Sequence, residues 1–482
     1  MSVNVLAIDQ GTSSTKALVV SDDGEVLAEA EVPVHPIPVG DGGVEQDPRE
    51  LLHSIIEAGR RALASASVDV GAVGVANQGE TVVAWDPITG ENVSSAITWQ
   101  DRRSSEITDR MVDSGPRLRE LTGLPLDPYF TAPKLRWLAD RVPSSARVTG
   151  VDAWLNFQLT GRVMTDASTA SRSLLLDLDS RRWSPEAASL FGLDVDTLPE
   201  ILDCAGHFGE TTLFGPTLQL TGLAVDQQAA LVGERCLLPG EGKCTYGTGA
   251  FLLVTTGPEP RRSLNGLSTS VAWQIEEEHA YCLDGQVYTA GSAVKWLRTL
   301  GLVRDADELD ELARNADDES TVLCVPSLAG LGAPYWQPHA KAHLEGMTLD
   351  TGPSELVYAV LEGLACQVAT LVRAAEADLG QSLSVLRVDG GLTRSHVLMQ
   401  LQADLLQVPV ELFPSPHATA LGIASLARVG VDGGTLSAFS DQRRGRRFEP
   451  SISADQASDR LAQWEAAARR VVEAASGGDH HG

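Results

Sequence analysis

Two short turns rich in glycine and hydroxyl residues, Asp9-Gln10-Gly11-Thr12-Ser13-Ser14-Thr15-Lys16 and Tyr246-Gly247-Thr248-Gly249-Ala250-Phe251, sit half a chain apart, each beside an apolar run. Glycine lets backbone N–H groups approach a phosphate, and Thr or Ser hydroxyls add donors to the same anion. One such turn alone is most often an ordinary hairpin. Two in matching places, one in each half of the chain, predict two lobes closing on one nucleotide.

The elements that must hold these turns are legible around them. Val3 to Ile8 is a short run of aliphatic and β-branched residues that predicts a buried strand ending at Asp9, with further strands at Ala17 to Val20 and Val26 to Val34 completing a meander. Asp47 and Pro48 suit the first turn of a helix whose apolar face is Leu51, Leu52, Ile55 and Ile56. Strands follow at Ala72 to Ala76, Val82 to Trp85 and up to about Trp99. The stretch from about Arg102 to Glu200 reads as a mainly helical insertion. Thr221 to Val225 predicts another strand, with Asp226 at its junction with a helix, where capping is a common role for aspartate.

The break Leu237-Leu238-Pro239-Gly240-Glu241-Gly242 divides the chain into residues 1–238 and 239–482. Beyond it the pattern of strands followed by helices repeats. Phe251 to Val254 reads as a strand, Tyr358 to Ala377 as one long amphipathic helix and Val385 to Val388 as a strand. Gly390-Gly391 then turns into a helix ending near Leu406. The tail past about Ala475 is small and polar, and its histidines read as tail residues, not ligands.

At 482 residues the length favours two or three domains. A formal charge of −28 argues against nucleic acid or an anionic membrane as partner. The amino terminus enters a strand directly instead of a basic and apolar leader, and no apolar run reaches the roughly 18 residues of a membrane span, so a cytoplasmic location is expected. Six scattered cysteines, with no C-x-x-C pair, indicate reduced thiols, not a disulfide frame or a zinc knuckle.

Read together, the blocks AIDQGTSSTK (7–16), VANQGET (75–81), ITWQDRR (97–103), TDASTASRSLL (165–175), GLAVDQQAAL (222–231), CTYGTGAFLL (244–253), LAGLGAPYW (328–336) and VDGGLTRSHVLMQLQADLL (388–406) make a pattern. In order and spacing the chain resembles the FGGY carbohydrate kinases, and within them the glycerol-kinase branch. The resemblance implies an α/β fold of two actin-like, ribonuclease-H-like lobes with a catalytic cleft between them. It also implies transfer of the γ-phosphoryl group of ATP, with Mg²⁺, to a primary hydroxyl of a small polyol. Relatives of this kind are often dimers or tetramers, so the resemblance makes a homodimer or homotetramer an expectation for this chain.

Carried over residue by residue, the resemblance makes Asp226 the general base and Asp9 the group that holds Mg²⁺ through water. Thr12, Ser13, Ser14 and Lys16 match one phosphate loop, and Gly247 and Thr248 the other. Gly291, Lys295, Gly390, Gly391 and Ser395 match the remaining nucleotide contacts. Lys16 stands where an arginine is usual, Lys295 where a glutamine is, and Ser395 where an asparagine is. The acceptor would touch Gly79, Glu80, Trp99, Tyr129, Asp226, Gln227 and Phe251.

Gly79 is the main departure. The branch carries arginine immediately before this glutamate, and each charge-assisted bond so lost is worth about 1.5–3 kcal/mol. Two expectations follow from the glycine: room for a longer acceptor such as erythritol, a pentitol, xylulose or ribulose, or replacement of the cation by Arg102 or Arg103 with glycerol still the substrate.

Overall fold

The computed structural model describes residues 3–317, 320–436 and 445–477; the tail histidines, His480 and His481, lie outside them. Two sheets organise the chain. The first has six strands in the spatial order Ala205–Thr211, Leu218–Val225, Ala72–Asn77, Val5–Gln10, Ser14–Val20, Val26–Pro33. Its middle three strands run parallel, and the last three form the expected antiparallel meander. The second has seven, ordered Ser268–Ile275, Glu278–Val287, Ala250–Gly257, Gly242–Tyr246, Leu386–Asp389, Val410–Leu412, Arg447–Phe448. There Gly242–Tyr246 again begins a hairpin on one side and pairs in parallel with Leu386–Asp389 on the other.

The sheets thus repeat one motif, and the two glycine-rich turns are the equivalent hairpin of each. Open α/β sheets bind ligands beyond the carboxyl ends of their parallel strands. Asp9, Asn77, Val225, Tyr246 and Asp389 all stand at those ends.

Local sequence explains the supporting elements. Asp47 accepts the Arg49 N–H at 2.9 Å and Pro48 opens the helix Pro48–Ala66, which buries Leu51, Ile55, Ala58 and Ala62 against the first sheet. The long helix is Pro353–Leu379, two to five residues longer at its ends than its apolar pattern indicated, because Glu355 accepts the Gly352 N–H at 2.8 Å at its start and Gly380 in the left-handed region stops it. Among the described residues it is the one helix long and apolar enough to cross a membrane, and 72% of its most apolar window is buried inside the protein. All six cysteines are buried and unpaired.

The helix Ala418–Asp432 comes from the second half of the chain yet packs on the first sheet. Its Ala420, Ile423, Ala424 and Ala427 share a core with Val5, Ala7, Ala72, Ala76 and Ala224. It also crosses the helix Asp226–Gly233 backbone to backbone. A β-carbon at Gly422 would lie 1.7 Å from the Ala229 carbonyl oxygen, and one at Gly233 2.0 Å from that of Ala418. Only glycine permits this crossing, which seats the helix carrying Asp226.

Candidate active site

The phosphate turns divide into parts committed to the fold and parts left open. In the first, the Thr12 hydroxyl accepts from Trp99 Nε1 at 2.9 Å and donates to Gln78 Oε1 at 3.3 Å. Its proton is engaged, so Ser13 is the exposed hydroxyl of that turn. In the second, the Gly247 carbonyl accepts from Gly291 N–H at 2.9 Å, and the Thr248 carbonyl from Ala290 and Ser292 at 2.9 and 3.1 Å. The turn is thereby tied to the start of the helix Gly291–Thr299, while Thr248 is exposed.

The glycines sort in the same way. Gly291 is fixed by packing, since a β-carbon there would meet the Gly247 carbonyl at 2.6 Å. Gly390 is fixed by a φ of +95° and by the Tyr246 backbone at 2.5 Å. At Gly391 a β-carbon would meet nothing within 4 Å, and at Gly247 its nearest neighbour would be 3.9 Å away. These two are the ones that leave open space for a ligand.

One nucleotide-site expectation changes. Ser395 is buried, its hydroxyl bonds to Asp310, and it caps the helix His396–Leu406 by accepting from Leu398 N–H at 3.2 Å. Its side chain serves the fold instead of an adenine ring. Lys295 is exposed on the helix Gly291–Thr299. Lys16 lies opposite Asp9 in the first hairpin, half-buried.

Three carboxylates and a lysine make the electrostatic centre. Asp226 is the first residue of its helix, and its Oδ1 accepts from Gln227 N–H at 2.7 Å. Burial first, and the nearby Asp9 charge second, push its pKa up to about 7, with Lys243 opposing. Asp9 is raised to about 6 by burial, against the pull of Lys16. Asp389 is also raised, mainly by burial, and its Oδ1 is buried without a hydrogen-bond partner. Lys243 is fully buried, and its ammonium donates to Gln227 Oε1 at 2.7 Å and Thr245 Oγ1 at 2.8 Å. A carboxylate with pKa near 7 accepts a proton well at neutral pH. Because only its ionised form is a base, kcat/KM for the acceptor should fall about tenfold per pH unit below about 7. A flat profile from pH 5.5 to 8.5 would remove Asp226 from that role.

The acceptor candidates converge beside it. The Trp99 ring meets Tyr129 edge-on at 5.9 Å and Phe251 edge-on at 5.8 Å, so rings from both halves of the chain line one wall. Glu80 is buried and sits at φ +56°, a left-handed conformation that a non-glycine residue holds only under surrounding constraint. The constraint is Arg172, whose Nε donates to Glu80 Oε1 at 2.7 Å and whose Nη1 lies 3.2 Å from Asp284 Oδ2. The guanidinium also stands 5.8 Å from the Tyr129 ring centre and 5.2 Å from that of Phe130. Burial, outweighing Arg172, pushes Glu80 up to about 7.

The cation of this region is therefore Arg172, not Arg102 or Arg103. Arg102 is held by Asp127 at 2.9 Å and stacks on Tyr288, while Arg103 is held by Asp101 and Glu45. The space expected beside Gly79 is bounded on one side by Val225. A β-carbon there would fall 2.6 Å from Val225 Cγ2. Arg172, Asp284 and Lys243 went unread in the sequence, although Arg172 and Asp284 are lone charges in small or apolar stretches and Lys243 directly precedes the second turn's block at 244–253. Lys134 is a fourth, fully buried and clasping the carbonyls of Pro128, Tyr129 and Phe130 under the aromatic wall.

Two lobes of one motif, with hydroxyl-bearing hairpins facing a carboxylate at a helix start, define a phosphotransferase. The FGGY carbohydrate kinase N-terminal domain matches residues 4–233 and its C-terminal domain residues 242–431. The chain belongs to the FGGY family of carbohydrate kinases. It is 41% identical to a glycerol kinase of Rhodopseudomonas palustris (97% of this chain, 98% of the relative) and 44% identical to one of Methylobacterium nodulans (96% and 97%). Among solved structures, Plasmodium falciparum glycerol kinase with ADP superposes with a TM-score of 0.89 at 30% identity, over 98% of each chain. A xyloylose kinase from Brucella ovis shares the fold, with a TM-score of 0.86 at 24% identity over 96% and 98%.

Proposed function

We propose that the protein transfers the γ-phosphoryl group of ATP to a primary hydroxyl of glycerol, giving glycerol 3-phosphate, in the cytoplasm. The observation that carries this reading is the grouping of the Glu80–Arg172 pair and the Trp99, Tyr129 and Phe251 rings about Asp226, in a chain that is 41–44% identical to glycerol kinases over nearly its whole length. Phosphoryl transfer needs alignment, charge neutralisation and a base, with little covalent chemistry from the protein.

Each part has a candidate. Asp226 takes the proton of the attacking hydroxyl as the O–P bond forms. Glu80 and Gln227 orient the hydroxyls, and the rings cover the carbon edge and exclude water. Ser13, Ser14, Thr248 and the backbone of both turns cradle the phosphates, assisted by Lys16. Gly391 leaves the nucleoside unobstructed.

Mg²⁺ fits the donor set, because Asp9, Asp226 and Asp389 offer hard carboxylate oxygens, one of them without a partner. Among the described residues no three acidic, His or Cys side chains converge to hold a metal unaided. The ion would draw on Asp9, water and phosphate, as magnesium commonly does, and would neutralise charge on the phosphates.

The 41–44% identity to glycerol kinases over nearly the whole chain favours glycerol over longer acceptors. A panel of glycerol, erythritol, ribitol, xylulose and ribulose, followed by ADP release, should give glycerol the highest kcat/KM. A higher value for any four- or five-carbon acceptor would overturn the assignment.

A further inference from the structure

Gly79 is hemmed in by one residue only. A β-carbon built there would meet Val225 Cγ2 at 2.6 Å and Val225 Cβ at 3.9 Å, with no other atom within 4 Å among the described residues beyond its chain neighbours. Its backbone is outside the left-handed region, so a side chain carries no conformational penalty. The single obstacle is a methyl group.

That methyl cannot swing away freely. Val225 is buried, its N–H donates to Ser168 Oγ at 3.1 Å, and it ends the strand Leu218–Val225 in register with Asn77. A β-branched side chain has few χ1 choices in such a setting. Each member of the contact also adjoins a functional group in sequence. Gly79 precedes Glu80, and Val225 precedes Asp226.

We infer that Gly79 and Val225 are a coupled specificity-determining pair: valine at 225 dictates glycine at 79, and together they replace a polar contact to the acceptor with an apolar wall between Glu80 and Asp226. The inference rests on the polyol-kinase reading for its effect on substrate, while the coupling itself rests on packing alone. A side chain at 79 that carries a donor reaches the acceptor only when 225 has given up its methyl groups. Until then it must displace Val225, and with it the start of the Asp226 helix.

The test is a double-mutant cycle of Gly79→Arg and Val225→Gly, with Gly79→Ala and Val225→Ala as a milder second cycle. Gly79→Arg alone should lower kcat/KM for glycerol at least tenfold and lower the melting temperature. Added to Val225→Gly, the same arginine should instead lower the KM for glycerol, by about tenfold for one charge-assisted bond. In the milder cycle, Gly79→Ala should reduce the melting temperature in the Val225 protein and leave it within about 1 °C in the Val225→Ala protein.

Additive effects in both cycles, with arginine equally harmful in either background, would overturn the pairing. The melting-temperature cycle needs no acceptor, so it separates the two claims. If glycerol is not turned over but the alanine cycle is non-additive, the substrate reading falls and the pair stands. If glycerol is the best acceptor and the alanine cycle is additive, the reverse holds.

Discussion

Replacing Asp226 by asparagine should cut polyol-dependent ADP formation by about 10²–10⁴-fold, the usual worth of a positioned general base. The amide keeps the shape of the carboxylate and an oxygen to accept the Gln227 N–H, which stands 2.7 Å from Oδ1. Folding should not suffer. Burial and the Asp9 charge already disfavour the ionised form of Asp226, raising it to about 7, so a neutral isostere removes an unfavourable charge. The variant should melt at the same temperature as the parent or higher above pH 7, and ATP binding measured by calorimetry should persist. An unchanged rate with glycerol would refute the base. A lost rate accompanied by lost nucleotide binding would reassign Asp226 to the metal and phosphate side.

Removing the Arg172 guanidinium should be the most disruptive single change on the acceptor side. Arg172→Met leaves Glu80 and Asp284 buried without their direct ion-pair partner, with only Lys134 and Lys243 as remaining nearby cations, and breaking one side of a buried ion pair costs about 3–5 kcal/mol. Part of that cost is avoided by protonation, which gives the prediction its sign. Glu80 already titrates at about 7, above its ordinary 4.5. A carboxyl raised on folding stabilises the protein below its unfolded pKa and loses that contribution as pH rises through the folded value. Without Arg172 the folded value climbs further, so the loss of stability is larger at pH 8 than at pH 6. Melting curves at the two pH values check this. Arg172→Lys keeps the charge but not the fork that reaches both carboxylates, so it should recover part of the stability and leave a raised KM for the acceptor. A variant with parental melting temperature and KM would show that Glu80 is held by something else.

How far the sequence reaches is visible in these same residues. The strands, the Asp47 cap, the two hairpins and the strand-to-helix junction at Asp226 were legible because each is written in neighbours a few positions apart. Trp99, Tyr129 and Phe251 came together as the resemblance implied. Arg172 was passed over although it lies in a recognisable block, because nothing local tells that its partners are Glu80, 92 residues earlier, and Asp284. Ser395 differs in the opposite sense. The resemblance matched it to a nucleotide contact, but Asp310, 85 residues earlier, holds its hydroxyl. The contact of Gly79 with Val225 was equally out of reach, since an empty position in a sequence does not say what fills it in space.

The crossing of Ala418–Asp432 over the Asp226 helix has a further consequence for synthesis. That helix supplies the cover for one face of the first sheet, where Ala420, Ile423 and Ala427 meet Val5, Ala7 and Ala72. As the chain leaves the ribosome, the strands Val5–Gln10 and Ala72–Asn77 are made early, but the cover of their apolar face is incomplete until residue 432 has emerged. The lobe that begins first is completed only after most of the second has been made. A chain truncated short of residue 418 lacks part of the cover of that sheet, so it should aggregate instead of giving a smaller working domain, which the soluble fraction on expression would show.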